Sequence, residues 1–216
     1  MHKIAQKRWS EGIFRAYDIR GKYPEEINED AAYKIARAFA RYLRLGIREK
    51  ENLKIVVSAD ARESSPTLKE AFLDGLLDEG VEIIDAGLTT TPMHYFILNK
   101  TEADGGAMIT ASHNPAEFNG VKLSKKNAVS IGAGSGMEEI KNDAIRGIFV
   151  NGARGKIIKK AFLEDYLKFF EENFPELKAY GIRLIACAGN GMTSILLKKL
   201  FNKFPNLSKH LILIFH

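Results

Sequence analysis

Ile109-Thr110-Ala111-Ser112-His113-Asn114-Pro115-Ala116-Glu117-Phe118-Asn119-Gly120-Val121-Lys122 is the stretch on which the reading of this chain turns. The apolar run Ala107-Met108-Ile109 delivers the backbone to a polar elbow. The elbow presents a hydroxyl, an imidazole and an amide in three successive positions. Pro115 then stiffens the chain, and Asn119-Gly120 is a pair that favours a turn back. A second apolar run, Val121-Lys122-Leu123, leads away and carries a lysine. Chemistry this dense in one turn marks a site. A strand, a polar elbow and a returning strand also make the framework of an α/β sheet.

Outward from the elbow, the chain alternates strand and helix. Leu53–Ser58 is apolar and β-branched, as a buried strand is. Ser65-Pro66 reads as a cap followed by a first-turn proline, opening a helix to about Glu79 that Gly80 ends. Val81–Ala86 is the next strand, so the three elements form a βαβ unit. Gly87–Pro92 reads as a loop and Met93–Asn99 as a short helix with Met93, Phe96 and Ile97 facing inward. Ala107–Thr110 is a buried strand. Sites in open α/β sheets gather at the carboxyl ends of strands, which is where Ser112 falls. Upstream, Asn28 caps a helix to Leu45, with Glu29 and Asp30 in its first turn. Its apolar residues Ala32, Ile35, Ala36, Phe39, Ala40 and Leu43 recur at helical spacing and are core.

Downstream, Ser124–Asn127 reads as a turn, Ala128–Ile131 as a short strand and Met137–Ile145 as a helix. Gly132–Gly136 is glycine-rich, but no Lys-Ser/Thr closes it as a phosphate loop requires, so it reads as a flexible lead into that helix. Gly147–Gly155, with its repeated glycines, reads as a domain boundary. The division is then 1–150 and 151–216. The second part alternates a helix over Lys160–Phe174, a strand over Arg183–Ala188, a helix over Thr193–Phe204 and a strand over His210–Phe215.

Composition narrows the function classes. The chain has 216 residues, 45% hydrophobic and 27% charged, the balance of an ordinary globular protein. Its one cysteine, Cys187, permits no internal disulfide framework. No apolar run reaches the length of a membrane span, and Met1–Ser10 lacks the apolar core of a secretory signal. A cytoplasmic protein is expected. The net charge of +5 comes from 32 basic and 27 acidic residues, intermixed as in Arg48-Glu49-Lys50-Glu51, which reads as a solvated surface rather than a nucleic-acid patch. A basic balance also suits an anionic small substrate.

Ile13–Gly21 has two readings. It is a surface strand with an Arg–Asp pair, or an arm that handles anions, since arginine forks onto phosphate or carboxylate. The elbow itself favours phosphoryl transfer over hydrolysis. Ser112 and His113 are adjacent and adjacent residues point apart in extended chain, and the Gly-x-Ser-x-Gly elbow is missing. A serine that carries phosphate needs cations, donors and a proton-handling pair around it. Arg20, Lys122, His113 and Asn114 are the right types. The plainer alternatives are a helix cap at Ser112, an ordinary turn at Asn114-Pro115 and a surface lysine at Lys122.

Phe14-Arg15-Ala16-Tyr17-Asp18-Ile19-Arg20-Gly21, Thr110-Ala111-Ser112-His113-Asn114-Pro115 and Asn119-Gly120-Val121-Lys122 together resemble the α-D-phosphohexomutase family, in its phosphomannomutase/phosphoglucomutase branch. Ser64-Ser65-Pro66, Asp74-Gly75-Leu76-Leu77 and Thr90-Thr91-Pro92-Met93 also match the pattern, and the resemblance runs from about Phe14 to Phe204. It implies a first domain with a mixed sheet and helices on both faces, followed by an incomplete second α/β domain of similar type. By this resemblance Ser112 would carry the phosphoryl group and, as phosphoserine, would be a ligand of Mg²⁺. Arg20 and Lys122 would be the proton-handling pair, His113 and Asn114 would line the reacting centre, and Tyr17 would stand near the substrate. The implied activity moves phosphate between O1 and O6 of a hexose phosphate through a bound bisphosphosugar, with a bisphosphosugar as activator. A guanidinium effectively never gives up its proton, so Lys122 suits proton transfer and Arg20 suits an electrostatic clamp.

The chain departs from the family pattern in its second half. The metal loop Asp-x-Asp-x-Asp-Arg, the sugar loop Gly-Glu-x-Ser-Gly-His and the C-terminal phosphate loop do not occur in it. Cys187 stands where the second-domain strand usually leads into Asp-x-Gly-Asn-Gly, and Asn206–His216 resembles the family poorly. The expectation is a fragment, by truncation, split gene or frameshift, that is weak or inactive alone. It would be completed by a C-terminal half or would associate with itself through the unfinished second sheet, with exposed apolar surface at Leu211–Phe215. A non-catalytic domain that binds sugar phosphates or a protein is the alternative.

Overall fold

The computed structural model describes residues 8–46, 52–149, 153–178, 184–188, 191–208 and 211–214. The chain divides into two compact units, Met1–Lys160 and Ala161–His216. The boundary expected at Gly147–Gly155 falls later than that stretch, because Lys156–Lys159 forms a strand of the first unit.

In chain order the first unit contains β1 (Ile19–Lys22), α1 (Glu29–Gly46), β2 (Lys54–Ala59), α2 (Ser65–Asp78), β3 (Glu82–Leu88), α3 (Thr91–Lys100), β4 (Gly105–Ile109), β5 (Phe118–Lys125), β6 (Val129–Ser130), α4 (Met137–Arg146) and β7 (Lys156–Lys159). These strands form one mixed sheet in the order β1-β5-β4-β2-β3-β7, with β6 paired to β5. β4, β2, β3 and β7 run parallel, and β5 is antiparallel to both β4 and β1. From β2 the chain steps out to β3, then returns past β2 to β4. Both crossovers obey one handedness only if their helices lie on opposite faces, so α2 and α3 sandwich the sheet.

Strand alternation distributes the side chains accordingly. Ile55, Val57, Ala59, Ile83, Ala107, Ile109, Val121 and Leu123 face the core shared with α1, α2 and α4. α1 supplies Ala32, Ile35, Ala36, Phe39, Ala40 and Leu43 to that core, all buried as their helical spacing requires. Asn28 caps the helix, its Oδ1 accepting from the Ala31 N–H at 3.2 Å. Burial of side chains the size of Ile35, Phe39 and Leu43 is worth roughly 1.5–3 kcal/mol each, and of the alanines less. A buried ion pair, Arg37 Nε to Glu79 Oε1 at 2.8 Å, ties α1 to the end of α2.

Some local expectations change. Asn119-Gly120 is not a turn: both residues lie within β5, and the reversal is made earlier, where the Phe118 N–H donates to the Pro115 carbonyl at 3.1 Å. Ser65 is not a cap, since its hydroxyl donates to Asp60 Oδ1 at 2.7 Å. In α3, Met93, His94, Ile97 and Leu98 are buried, whereas Phe96 is only half-buried under the Lys100 ammonium. The proline of α3 sits in its first turn and Thr90 Oγ1 caps it.

The second unit contains α5 (Leu163–Asn173), β8 (Leu184–Cys187), α6 (Thr193–Lys203), α7 (Pro205–Ser208) and β9 (Leu211–Ile214). β8 and β9 pair in parallel, Leu184 opposite Leu211 through Cys187 opposite Ile214, so the strand–helix–strand order read from the sequence holds. Phe201 and Phe204 pack with Phe170, Leu197 and Leu200. The side chains of Leu211–Ile214 and all of Phe215 lie outside the described residues, and the apolar surface expected there with them. Among the described residues no helix is long and apolar enough to cross a membrane.

On the α3 face, His94 is fully buried. Its Nδ1 lies 2.8 Å from Ser58 Oγ, which in turn accepts from Thr89 Oγ1. Nε2 is buried with no hydrogen-bond partner among the described residues. Burial opposes the charged ring and lowers its pKa from 6.5 to about 4. A histidine depressed in the folded state binds its proton more readily when unfolded. Its neutral form therefore stabilises the fold fully above pH 6.5, and that contribution is lost as pH falls from 6.5 toward 4. Linkage puts the loss at about 2 kcal/mol between pH 7 and 5. Urea denaturation of wild type and His94→Gln across this range is expected to show the steeper decline in wild type. Parallel curves would exclude His94 as the titrating group.

Candidate phosphoserine site

β4 and β2 flank the position where the chain reverses its direction of travel across the sheet, and ligands in open α/β sheets bind beyond the carboxyl ends of strands at such a point. Two loops meet there. Asp60 and Arg62 follow β2, and Ser112 follows β4. Ser112 is exposed and has a φ of 56°, in the left-handed region that costs a residue with a Cβ roughly 1–2 kcal/mol. Its N–H donates to Thr110 Oγ1 at 2.9 Å. His113 beside it is exposed. Asn114 is turned back on the elbow, its side-chain amide donating to the Ala111 carbonyl at 2.7 Å and its backbone N–H to the same carbonyl at 3.1 Å.

The cations lie on the two antiparallel strands next door. Arg20 on β1 is opposite Gly120 on β5, and Lys122 on β5 is opposite Met108 on β4. Period-2 alternation puts Arg20 and Lys122 on the same face, the one that carries α3. Asp18 joins them: Oδ1 is 3.4 Å from Arg20 Nε and Oδ2 is 3.5 Å from Lys122 Nζ. The Asp18 carboxylate is buried, and Oδ1 has no hydrogen-bond partner among the described residues. One carboxylate between two cations leaves net positive charge at this edge, the sign a phosphate requires. The Ile13–Gly21 segment holds the strand and the Arg–Asp pair expected of it, at β1, which is separated from β4 by β5. Tyr17 is 86% exposed and, with Lys122, Tyr95, Ser130 and Gly132, lines a cleft of about 310 Å³.

Gly120 makes the assembly possible. A Cβ there would stand 2.0 Å from the Ile19 carbonyl oxygen and 2.9 Å from the Arg20 Cα. Only glycine lets β1 approach closely enough to pair Arg20 with β5 at this position. Asn119 anchors the other side, its Nδ2 donating to Ser64 Oγ at 2.8 Å and Ser65 Oγ at 3.0 Å.

Sequence reasoning passed over Asp60 and Arg62. The Arg62 guanidinium donates to the carbonyls of Ser112, Asn114, Pro115 and Phe118 at 2.7–3.0 Å, and its Nε pairs with Asp60 Oδ2 at 3.2 Å. Thr110 Oγ1 donates to the same Asp60 oxygen at 2.7 Å. Their place directly after a buried strand was the available signal. The glycine-rich stretch has little left for a phosphate: the N–H groups of Gly132, Ala133, Gly134 and Ser135 donate to Ser135 Oγ, the Ala16 carbonyl, Glu138 and the Gly132 carbonyl. Magnesium prefers six oxygen ligands in octahedral array. Among the described residues no group of three or more His, Cys, Asp or Glu converges on such a site, and both Asp60 oxygens are engaged. The described residues by themselves do not make up a magnesium site.

A mixed sheet with these two loops at its switch point matches a known protein domain. Residues 11–151 fit the family described as phosphoglucomutase/phosphomannomutase, alpha/beta/alpha domain I. The chain belongs to the phosphoglucomutase/phosphomannomutase family, whose members are phosphohexomutases. It is 36% identical over 196 residues to a phosphomannomutase of Escherichia coli, covering 88% of this chain and 41% of that relative. It is 41% identical over 157 residues to a phosphomannomutase of Klebsiella pneumoniae, covering 71% of this chain and 96% of that one. A phosphoglucomutase/phosphomannomutase family protein of Burkholderia thailandensis superposes with a TM-score of 0.73 at 26% identity, over 97% of this chain and 44% of that chain. The chain thus spans less than half the length of the E. coli relative and of the B. thailandensis chain.

Gly120→Ala is expected to destabilise the first unit by about 3 kcal/mol, the upper end of overpacking costs, because backbone and not a flexible side chain is in the way. Gly46→Ala, which meets nothing within 4 Å, is the control. Thermal denaturation of both variants checks this, and equal midpoints would refute it.

Proposed function

We propose that Ser112 carries a phosphoryl group in a phosphomannomutase/phosphoglucomutase reaction that interconverts hexose 1-phosphate and hexose 6-phosphate. The observation that carries this reading is the exposed Ser112 at φ 56° after β4, with the Arg20–Asp18–Lys122 trio at the two strands that follow β4 in the sheet. Phosphoserine passes its phosphoryl group to the free hydroxyl of the hexose monophosphate. The Ser112 Oγ–P bond breaks, a sugar O–P bond forms, the sugar hydroxyl loses a proton and Oγ gains one. Lys122 is the group able to hand a proton on, while Arg20 stays charged and neutralises the oxygens in flight. The bisphosphosugar then returns its other phosphate to Ser112. His113, exposed beside the serine, and Tyr17, at the cleft, contact the substrate. Asn114 shapes the turn.

Residues 161–216 are part of a second domain of the same family, and the cytoplasm is the site of action. The magnesium ligands other than the phosphoserine, and the groups that grip the sugar, come from a complementing C-terminal half. Self-association through the second sheet is the other way to complete the unit. The cleft of about 310 Å³ beside Lys122 favours one further reading, binding of a sugar phosphate without transfer.

Incubation of the purified chain with a hexose 1,6-bisphosphate and Mg²⁺, followed by peptide mass spectrometry, tests the proposal. Phosphate is expected on Ser112 and on no residue of Ser112→Ala. Mutase turnover is expected to be low for the chain alone and to rise on addition of a polypeptide bearing the remaining family domains. Phosphate elsewhere in the chain, or none with bisphosphosugar bound, would overturn the carrier role, and the latter result would leave the binding reading standing.

A further inference from the structure

We infer that Arg62 is the positioning residue of Ser112: it holds the serine in its left-handed conformation and takes no part in neutralising the phosphate. The catalytic meaning of this inference rests on the phosphoserine reading above, but the mechanical claim stands on geometry alone.

A serine does not hold a φ of 56° unless its surroundings over-determine it. The elbow's own bonds are few: Ser112 N–H to Thr110 Oγ1, and the two Asn114 donors to the Ala111 carbonyl. Four further carbonyls, those of Ser112, Asn114, Pro115 and Phe118, converge on one guanidinium. Nη2 donates to Ser112 O at 3.0 Å and Asn114 O at 2.7 Å, and Nη1 donates to Pro115 O at 2.7 Å and Phe118 O at 3.0 Å. Nε donates to Asp60 Oδ2 at 3.2 Å. An arginine has five N–H donors in a fixed fork, and all five are used. None is left for a phosphate on Ser112, so the charge that meets the phosphate comes from Arg20 and Lys122.

The clamp is itself held. Asp60 Oδ1 accepts from the Arg62 N–H and from Ser65 Oγ at the start of α2, and Oδ2 accepts from Thr110 Oγ1. Thr110 Oγ1 thereby gives its hydrogen to Asp60 and keeps a lone pair for the Ser112 N–H. A rigid helix start is thus linked through one carboxylate to the serine's amide side, and through one guanidinium to its carbonyl side. Lysine could keep the charge at this position but not the fork.

The test is a double-mutant cycle on stability, made with the full chain and needing no activity. Glycine adopts a positive φ without cost. Ser112→Gly therefore relieves strain only while Arg62 enforces the conformation. Effects of the glycine on the unfolded chain cancel in the cycle. The change in Tm on Ser112→Gly is expected to be more favourable in wild type than in the Arg62→Met background by about 2–4 °C. Arg62→Lys, which keeps the charge beside Asp60, is expected to lose the same coupling and serves if Arg62→Met does not fold. Amide hydrogen exchange gives a second readout. The N–H groups of Ser112, Asn114 and Phe118 are expected to exchange at least about tenfold faster in Arg62→Lys, with the β4–β5 ladder unchanged, as local opening behaves. Equal Tm changes in both backgrounds, or exchange that rises equally in turn and ladder, would overturn the inference. Phosphate incorporation at Ser112, read by mass spectrometry, is independent of both measurements. Its failure would remove the phosphoserine reading and leave the coupling to be judged by itself.

Discussion

The approach of β1 to β5 across Gly120 is the contact on which the site depends. An added Cβ would overlap the Ile19 carbonyl, and backbone cannot step aside as a side chain can. With the gap closed, Arg20 and Lys122 fall on one face of two adjacent strands, where Asp18 can bridge them. The same two strands carry Ile19 and Val121 on the opposite face, fully buried in the core built on α1. Burial on one face therefore fixes the register, and the register fixes where the charges stand on the other. A slip by one residue would put Arg20 and Lys122 into the core and expose Ile19 and Val121.

The parallel half of the sheet contributes differently. β2 and β4 are neighbours whose following loops leave from the same edge, because the chain travels outward to β3 before returning. That reversal brings Arg62 to the turn that contains Ser112, a contact spanning 50 residues of sequence. Local rules do not constrain such a contact. It is made by the handedness of two crossovers and the pairing of two buried strands. The cost of the strained serine is thereby borne by ordinary core packing at a distance.

Much of the fold was legible in the sequence for a simple reason. α1 has a cap at Asn28 and apolar residues at helical spacing, and β2 is a short β-branched run between polar segments. Such signals are local, and in this chain local and global preferences agree. Asn119-Gly120 was misleading because the pair is a common turn signal, yet here the asparagine is a buried anchor for Ser64 and Ser65 and the glycine admits a neighbouring backbone. Both uses are tertiary. Asp60 and Arg62 were overlooked for the same reason, since a charged pair after a strand looks like solvated surface until the partner loop is in place. Lys156–Lys159 escaped notice as a strand because it is short, exposed and flanked by glycine.

The sequence by itself determined most of the strand–helix order, the core face of α1, the placing of Ser112 beyond a strand end and, through its motifs, the family. These follow from period, capping chemistry and residue type, which are properties of neighbours along the chain. Tertiary structure alone decided which side chains meet: that Asp18 stands between Arg20 and Lys122, that Gly120 is a close approach and not a turn, and that Arg62 spends four donors on carbonyls of the serine loop and its return and the fifth on Asp60. The physical reason is that hydrogen bonds and ion pairs act over about 3 Å, and only the closed sheet brings residues so far apart in sequence to that distance.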